Sequence, residues 1–233
     1  MTRQGENMNI IKPENLSVVA HCDTLRPIFD KENEQLIYKG IKPDVVFIGD
    51  SITHMWELPL YFKELGYLVN RGIGSDITAH ILYRSDADVF QLKPKKLVYL
   101  AGINDIITTS PNLWTKKAGA DRRIVVDNAE ANIIEMMKRC KNNGVEGYFC
   151  SVLPTSFCIP YSDFALEELT VELNGRIKLA CEGLGMTYVD YHSALVKEDG
   201  LHIKDGLTDD GVHPIPECYD IMAKILLDSI KHS

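Results

Sequence analysis

Three observations predict a three-layer α/β/α sandwich built on a central parallel sheet of about five strands. Short, almost wholly apolar runs recur along the chain, helical stretches separate them, and no internal repeat or low-complexity linker interrupts the alternation. Continuous apolar strands are those covered on both faces, and the covering helices make the crossovers that parallel strands require.

The elements follow in order. Residues 1–42 predict an extension whose helix, over 25–39, packs on the outside of a single domain spanning 1–233. The first strand is VVFIG at 45–49, with a helix expected next over 52–66. Further strands are YLVNRG at 67–72, KLVYLAG at 96–102, GYFCSVLP at 147–154 and MTYVDY at 186–191, each bounded by turn residues. The clearest helix covers 123–143, with apolar residues at 125, 129, 133, 136, 137 and 140 and Gly144 at its stop. Stretches 164–183 and 218–230 have the same periodicity.

Of 233 residues, 45% are apolar and 25% charged, which suits a sizeable buried core and argues against disorder. The longest apolar runs, at 45–48 and 97–101, fall far short of the roughly 18 residues that a membrane-spanning helix needs. The opening MTRQGENMNIIKPEN lacks the apolar stretch and small-residue cleavage site of a secretory signal, so the expected compartment is the cytoplasm. The six cysteines, at 22, 140, 150, 158, 181 and 218, are dispersed and form no Cys-x-x-Cys, so neither a disulfide framework nor a zinc ribbon is expected. A net charge of -8, from 25 basic and 33 acidic residues, repels nucleic acid and anionic lipid. The basic clusters Lys93/Lys95/Lys96 and Arg122/Arg123 carry no interleaved aromatics and read as solvated surface.

Ligands of such sheets bind outside the carboxyl ends of the strands, and four polar segments fall there. Ser51, in Gly49-Asp50-Ser51, directly follows the first strand at a helix start, where developing negative charge is favoured. Alone, Asp50 and Ser51 could equally be a helix cap. In Asp210-Gly211-Val212-His213-Pro214 an aspartate three residues before a histidine can accept the ring N–H and hold one tautomer, as in a serine triad. The same pair could be a capping aspartate beside a surface histidine, or two metal ligands, although no third and fourth ligand stand at a recognisable spacing. Asn104, after the third strand, offers an uncharged donor for an oxyanion, or is a turn residue. The loop from Asn70 to Asp76 supplies closely spaced backbone N–H groups, or is a plain tight turn.

In this order, each at a strand end, the four segments resemble the SGNH (GDSL) hydrolase family. GDSIT followed by Trp56, NRGIG, GIND and DGVHP are most similar to the branch that contains platelet-activating-factor acetylhydrolase subunits and bacterial carbohydrate acetylesterases, and the resemblance runs from Val45 to Pro214. It implies a flavodoxin-like sandwich, with Ser51 as nucleophile, His213 as general base and then acid, and Asp210 as its orienter. The implied oxyanion donors are the Ser51 amide, the Asn104 side chain and an amide of the second block, assigned to Ser75 with Gly74 as the alternative. At that place the family usually has glycine. Ser75 keeps the N–H, but its side chain narrows the pocket and can demand a different local backbone.

The resemblance further implies no metal, nucleotide or organic cofactor. The partner it implies is a small-molecule ester, a short acyl group and above all acetyl, carried on a carbohydrate or other polar alcohol. Its alternatives are a lysophospholipase or thioesterase taking longer chains, and a catalytically silent binding module. His54 and Trp56 are expected to line or support the nucleophile's helix, and Cys150 to sit in the core. Tyr161, Phe164 and Trp114 belong to loops at 154–164 and 106–121 that either touch substrate or only anchor themselves.

Overall fold

The computed structural model describes residues 10–16, 21–110, 118–156 and 166–231. Trp114, Cys158, Tyr161 and Phe164 lie outside the described residues. Strands β1 (Val45–Gly49), β2 (Leu68–Gly72), β3 (Lys96–Leu100), β4 (Glu146–Cys150) and β5 (Thr187–Val189) form one parallel sheet in the order β2-β1-β3-β4-β5. Every residue of β1 is buried, as its uninterrupted apolar sequence requires of a strand covered on both faces. Gly49 stands opposite Gly72 on one side and Leu100 on the other, so β1, β2 and β3 end level and release their loops side by side.

The covering helices are α1 (His21–Lys39), α2 (Ser51–His54), α3 (Leu58–Tyr61), α4 (Thr78–Asp88), α5 (Ile103–Ile107), α6 (Arg122–Asn143), α7 (Leu166–Leu184), α8 (His192–Leu195) and α9 (Pro216–Lys231). Helix α6 packs against both α4 and α7, and with the strand order β2-β1-β3-β4-β5 the right-handed rule for parallel crossovers assigns these three to one face and the α2–α3 connection, which runs back towards the β2 edge, to the other. Asp121 caps α6 by accepting from the Arg123 and Ile124 amides, and Gly144 ends it at φ 65. The buried stripe of α6 is Val126, Ala129, Ile133, Met136, Met137 and Cys140; Val125, expected on it, is only half-buried, and Val126, three residues before Ala129, takes its place. Helix α1 begins at residue 21 rather than 25, and α9 starts on Pro216, where a missing N–H costs nothing.

The helix expected over 52–66 is instead broken into α2, α3 and a single 3-10 turn at Lys63–Leu65. Pro59, in the first turn of α3, cannot donate back to the preceding turn, so the chain restarts there. Within this broken segment Trp56 is buried; it packs edge-on against Phe62, with ring centroids 5.1 Å apart, and at a 31° tilt against Tyr219 of α9 at the same separation. The Tyr219 hydroxyl donates to the Ile52 carbonyl at 2.8 Å, joining α9 to α2. Helix α2 can lie on the strand ends because glycines meet it. A Cβ on Gly72 would stand 2.1 Å from the His54 amide nitrogen, and one on Gly49 2.2 Å from the Leu100 carbonyl oxygen.

Candidate active site

Ser51 is the first residue of α2, and its half-buried hydroxyl lies 2.9 Å from His213 Nε2. Asp50 supplies the cap before it, accepting from the Ile52 amide at 2.9 Å. Cap and hydroxyl are thus separate residues, and Ser51 is left for contact across the chain. The other side of the relay is built locally. Asp210 Oδ1 accepts from the amides of Val212 and His213 at 2.9 and 2.7 Å, and its Oδ2 lies 2.5 Å from His213 Nδ1. Gly211, at φ 84, supplies the left-handed residue that folds the carboxylate back over its own chain. Burial alone would raise the Asp210 carboxyl, but its hydrogen bonds with the His213 amide and ring and the Val212 amide outweigh it and hold the group below the usual range.

A second segment shows how little that spacing means by itself. Asp199-Gly200-Leu201-His202 folds the same way, with Asp199 Oδ1 accepting from Leu201 and His202 amides and Oδ2 2.8 Å from His202 Nδ1. Among the described residues, however, no hydroxyl bonds to the His202 ring. The serine at the far end separates the two pairs.

The loop after β2 passes Ser51 closely: a Cβ on Gly74 would begin 3.8 Å from the Ser51 Cβ. Ser75 is exposed and sits at φ 66, the left-handed region that favours glycine, so the serine keeps the backbone a glycine would take and bears its strain. Asn104, in the first turn of α5, donates from Nδ2 to the Asp76 carbonyl at 3.0 Å. A primary amide has two N–H groups, so this contact orients the side chain and leaves one donor over. Asp105 grips the other end of the loop, accepting from the Thr78 amide at 2.9 Å and the Thr78 hydroxyl at 2.7 Å.

Sequence reasoning missed the group that joins these pieces. Arg84 of α4 is 1% exposed and donates to the Asp76 carboxylate at 2.8 Å, the Asp88 carboxylate at 2.9 Å, the Arg71 carbonyl at 2.8 Å and the Gly49 carbonyl at 3.1 Å. One planar guanidinium therefore ties the end of β1, just before Ser51, to the end of β2 and its loop. The available signal was an arginine and an aspartate four apart on the face of α4 that also carries Ile81 and Ala87.

The remaining candidates separate cleanly. His54 is exposed and lines a cavity of about 280 Å3 with Phe29, Trp56, Leu58 and Asn70, a space that includes neither Ser51 nor His213. Cys150 is buried at the end of β4, and burial pushes its thiol up to about 12, which suits a core residue and not a nucleophile. Burial also drives the Asp50 carboxyl up to about 7, with the Asp105 and Asp76 carboxylates adding to the shift.

Comparison with known proteins bears on the whole arrangement. Residues 47–221, well over half of the chain, match the GDSL-like Lipase/Acylhydrolase family. The chain belongs to that family. A GDSL-like lipase from Bacteroides thetaiotaomicron has the same fold at a TM-score of 0.73, with 28% identity over 88% of this chain and 97% of that one. An acetylxylan esterase from Geobacillus stearothermophilus shares the fold at a TM-score of 0.64 and 21% identity, covering 80% of this chain and 93% of that one. Among curated proteins, platelet-activating factor acetylhydrolase IB subunit alpha2 from Homo sapiens is 35% identical over 71 residues, which span 29% of this chain and 31% of the relative's length. In this GDSL-type chain Ser51, Gly74, Ser75 and Asn104 leave from the level ends of β1, β2 and β3, and Asp210 and His213 arrive from the loop before α9.

Proposed function

We propose that this GDSL-type protein is a serine esterase that removes short acyl groups, above all acetyl, from a carbohydrate or other small polar alcohol. His213 Nε2 takes the Ser51 proton as Oγ attacks the ester carbonyl, and Asp210 stabilises the imidazolium that forms. The oxyanion is held by the free N–H of Asn104 and the amides of Ser51 and Ser75. Collapse of the tetrahedral intermediate passes the proton from His213 to the departing alcohol. Water, activated by the same histidine, then releases the acid from acyl-Ser51 and restores the enzyme. No residue in this sequence of steps calls for a cofactor.

The observation that carries the reading is the unbroken contact from Ser51 Oγ to His213 Nε2 at 2.9 Å and from His213 Nδ1 to Asp210 Oδ2 at 2.5 Å. The acetyl preference is supported by the local likeness to an acetylhydrolase subunit and by Ser75, a side chain where a glycine would leave more room. Rates on p-nitrophenyl acetate, butyrate and octanoate test it. Acetate is expected to give the highest kcat/KM, with the activity lost in Ser51→Ala. A preference for octanoate would replace this reading by a lysophospholipase or thioesterase, and failure of all three esters to turn over would leave a silent binding module.

A further inference from the structure

The loop that carries Ser75 has a second neighbourhood, away from the relay. Cys22 in the first turn of α1, Asp76 at the loop's end and His80 in the first turn of α4 bring one sulfur, one carboxylate oxygen and one ring nitrogen within 4.8 Å of one another. Cys22 and Asp76 are 2% and 1% exposed, and His80 is half-buried. While Asp76 Oδ2 is bonded to Arg84, Asp76 Oδ1 is buried with no hydrogen-bond partner. A buried carboxylate oxygen in that position is a cost unless something positive faces it.

The spacing bears on what that is. His80 Nδ1 lies 3.5 Å from Asp76 Oδ1, beyond the roughly 2.7–3.2 Å of an N–H···O hydrogen bond. It matches the edge of a tetrahedron around zinc, where ligands at about 2.0–2.2 Å stand about 3.4 Å apart. A cavity of about 10 Å3, lined by Glu14, Cys22, Arg26 and His80, adjoins the group and has the size of one water. A sulfur, an imidazole and a carboxylate suit a borderline-soft cation and not calcium or magnesium, which take oxygen.

We propose that Cys22, Asp76 and His80 bind a divalent transition-metal cation of the zinc class, with water in the fourth position. The thiolate and the carboxylate balance the ion's two charges, and Arg84 stays on the far oxygen of Asp76. Binding exchanges the Cys22 proton for the metal, so that a sulfur–metal bond forms and one proton leaves to solvent. An ordinary cysteine thiol, at about 8.5, carries its proton at neutral pH, so the exchange sets that proton free. Because the Asp76 carbonyl is also the acceptor for Asn104, the ion would fasten α1 and α4 to the loop that orients this side chain.

The full chain, stripped of metal, is titrated with zinc chloride by calorimetry in buffers of different ionisation enthalpy, and with cobalt chloride by absorption. The expected result is one ion per chain, release of about one proton, and a thiolate-to-cobalt charge-transfer band in the near ultraviolet. Cys22→Ser should lose the band. Cys22→Ser and His80→Ala, each checked by circular dichroism, should weaken zinc binding by more than the roughly 10–100-fold that loss of an outer partner costs, with metal-free esterase kcat unchanged. A wild-type cobalt spectrum without thiolate absorption overturns the proposal whatever the variants do. So does the absence of stoichiometric binding, or binding undiminished in both variants.

Discussion

At the scale of single residues, the proposed chemistry divides between groups that move protons and groups that only hold charge. Ser51→Ala and His213→Ala should each lower kcat by about 10⁶, the scale for removing a triad nucleophile or base, while far-UV circular dichroism stays that of wild type. Asp210→Asn should cost less, about 10⁴. Asp209, adjacent and exposed, makes no hydrogen bond to the His213 ring, so Asp209→Asn should turn over near the wild-type rate. Asn104→Ala should lower kcat by about 10² to 10³ with KM changing less. A purely structural asparagine would show instead as a fall in Tm with normal turnover, so both are measured on one preparation. Ser75 carries the opposite expectation for stability. At φ 66 a β-carbon is strained, and Ser75→Gly should raise stability by about 0.5–1 kcal/mol, the left-handed penalty less glycine's extra chain entropy, read as a shifted urea midpoint. If the side chain also borders the acyl pocket, the same variant relaxes discrimination against octanoyl esters.

At the scale of elements, α4 and α2 act as the frame of the site. Four carbonyl and carboxylate acceptors converge on Arg84, and only a planar fork satisfies them together. Arg84→Ala leaves the Asp76 and Asp88 carboxylates buried without that cation, which should cost about 3–5 kcal/mol in chemical denaturation. Arg84→Lys keeps the charge and loses the fork, so it should recover much of the stability and little of kcat. Equal recovery of both would show that charge, and not the geometry of the loop ends, is what Arg84 supplies. The strands and the long helices were legible in the sequence, because apolar runs and three- and four-residue spacing report burial directly. The broken 52–66 segment was only half legible: Pro59, which restarts the chain at α3, stands in the sequence, whereas the packing of Trp56 on α9 is tertiary and leaves no local trace.

Across the whole molecule, buried carboxylates set the response to pH. Asp50 titrates at about 7 in the fold against about 3.9 in an unfolded chain, so the folded state binds the extra proton and stability falls as pH rises through that window. Asp105 shifts in the same direction, chiefly through burial. Asp50→Asn keeps a capping oxygen and removes the charge. Its Tm should therefore exceed that of wild type at pH 8 and converge with it near pH 4, and parallel Tm profiles would contradict this. What the sequence disclosed of the site were the residues bound to short motifs: Ser51 and Asn104 just after strand ends, and the Asp210–His213 pair in the loop before α9. Hidden from it were Arg84, Asp76, Asp105 and Tyr219, whose contacts cross between elements and follow from no local spacing. The Asp199–His202 pair is the converse, a local spacing that yields the geometry without a serine to use it.

In the proposed reaction Ser51 Oγ, activated by His213, takes the acyl group. Incubation with a fluorophosphonate, followed by intact-mass measurement and peptide mapping, tests it most directly. A single adduct on the Ser51 peptide is expected, formed in parallel with loss of ester hydrolysis and almost absent in His213→Ala. An adduct on another serine, or full inactivation with Ser51 unmodified, would contradict it.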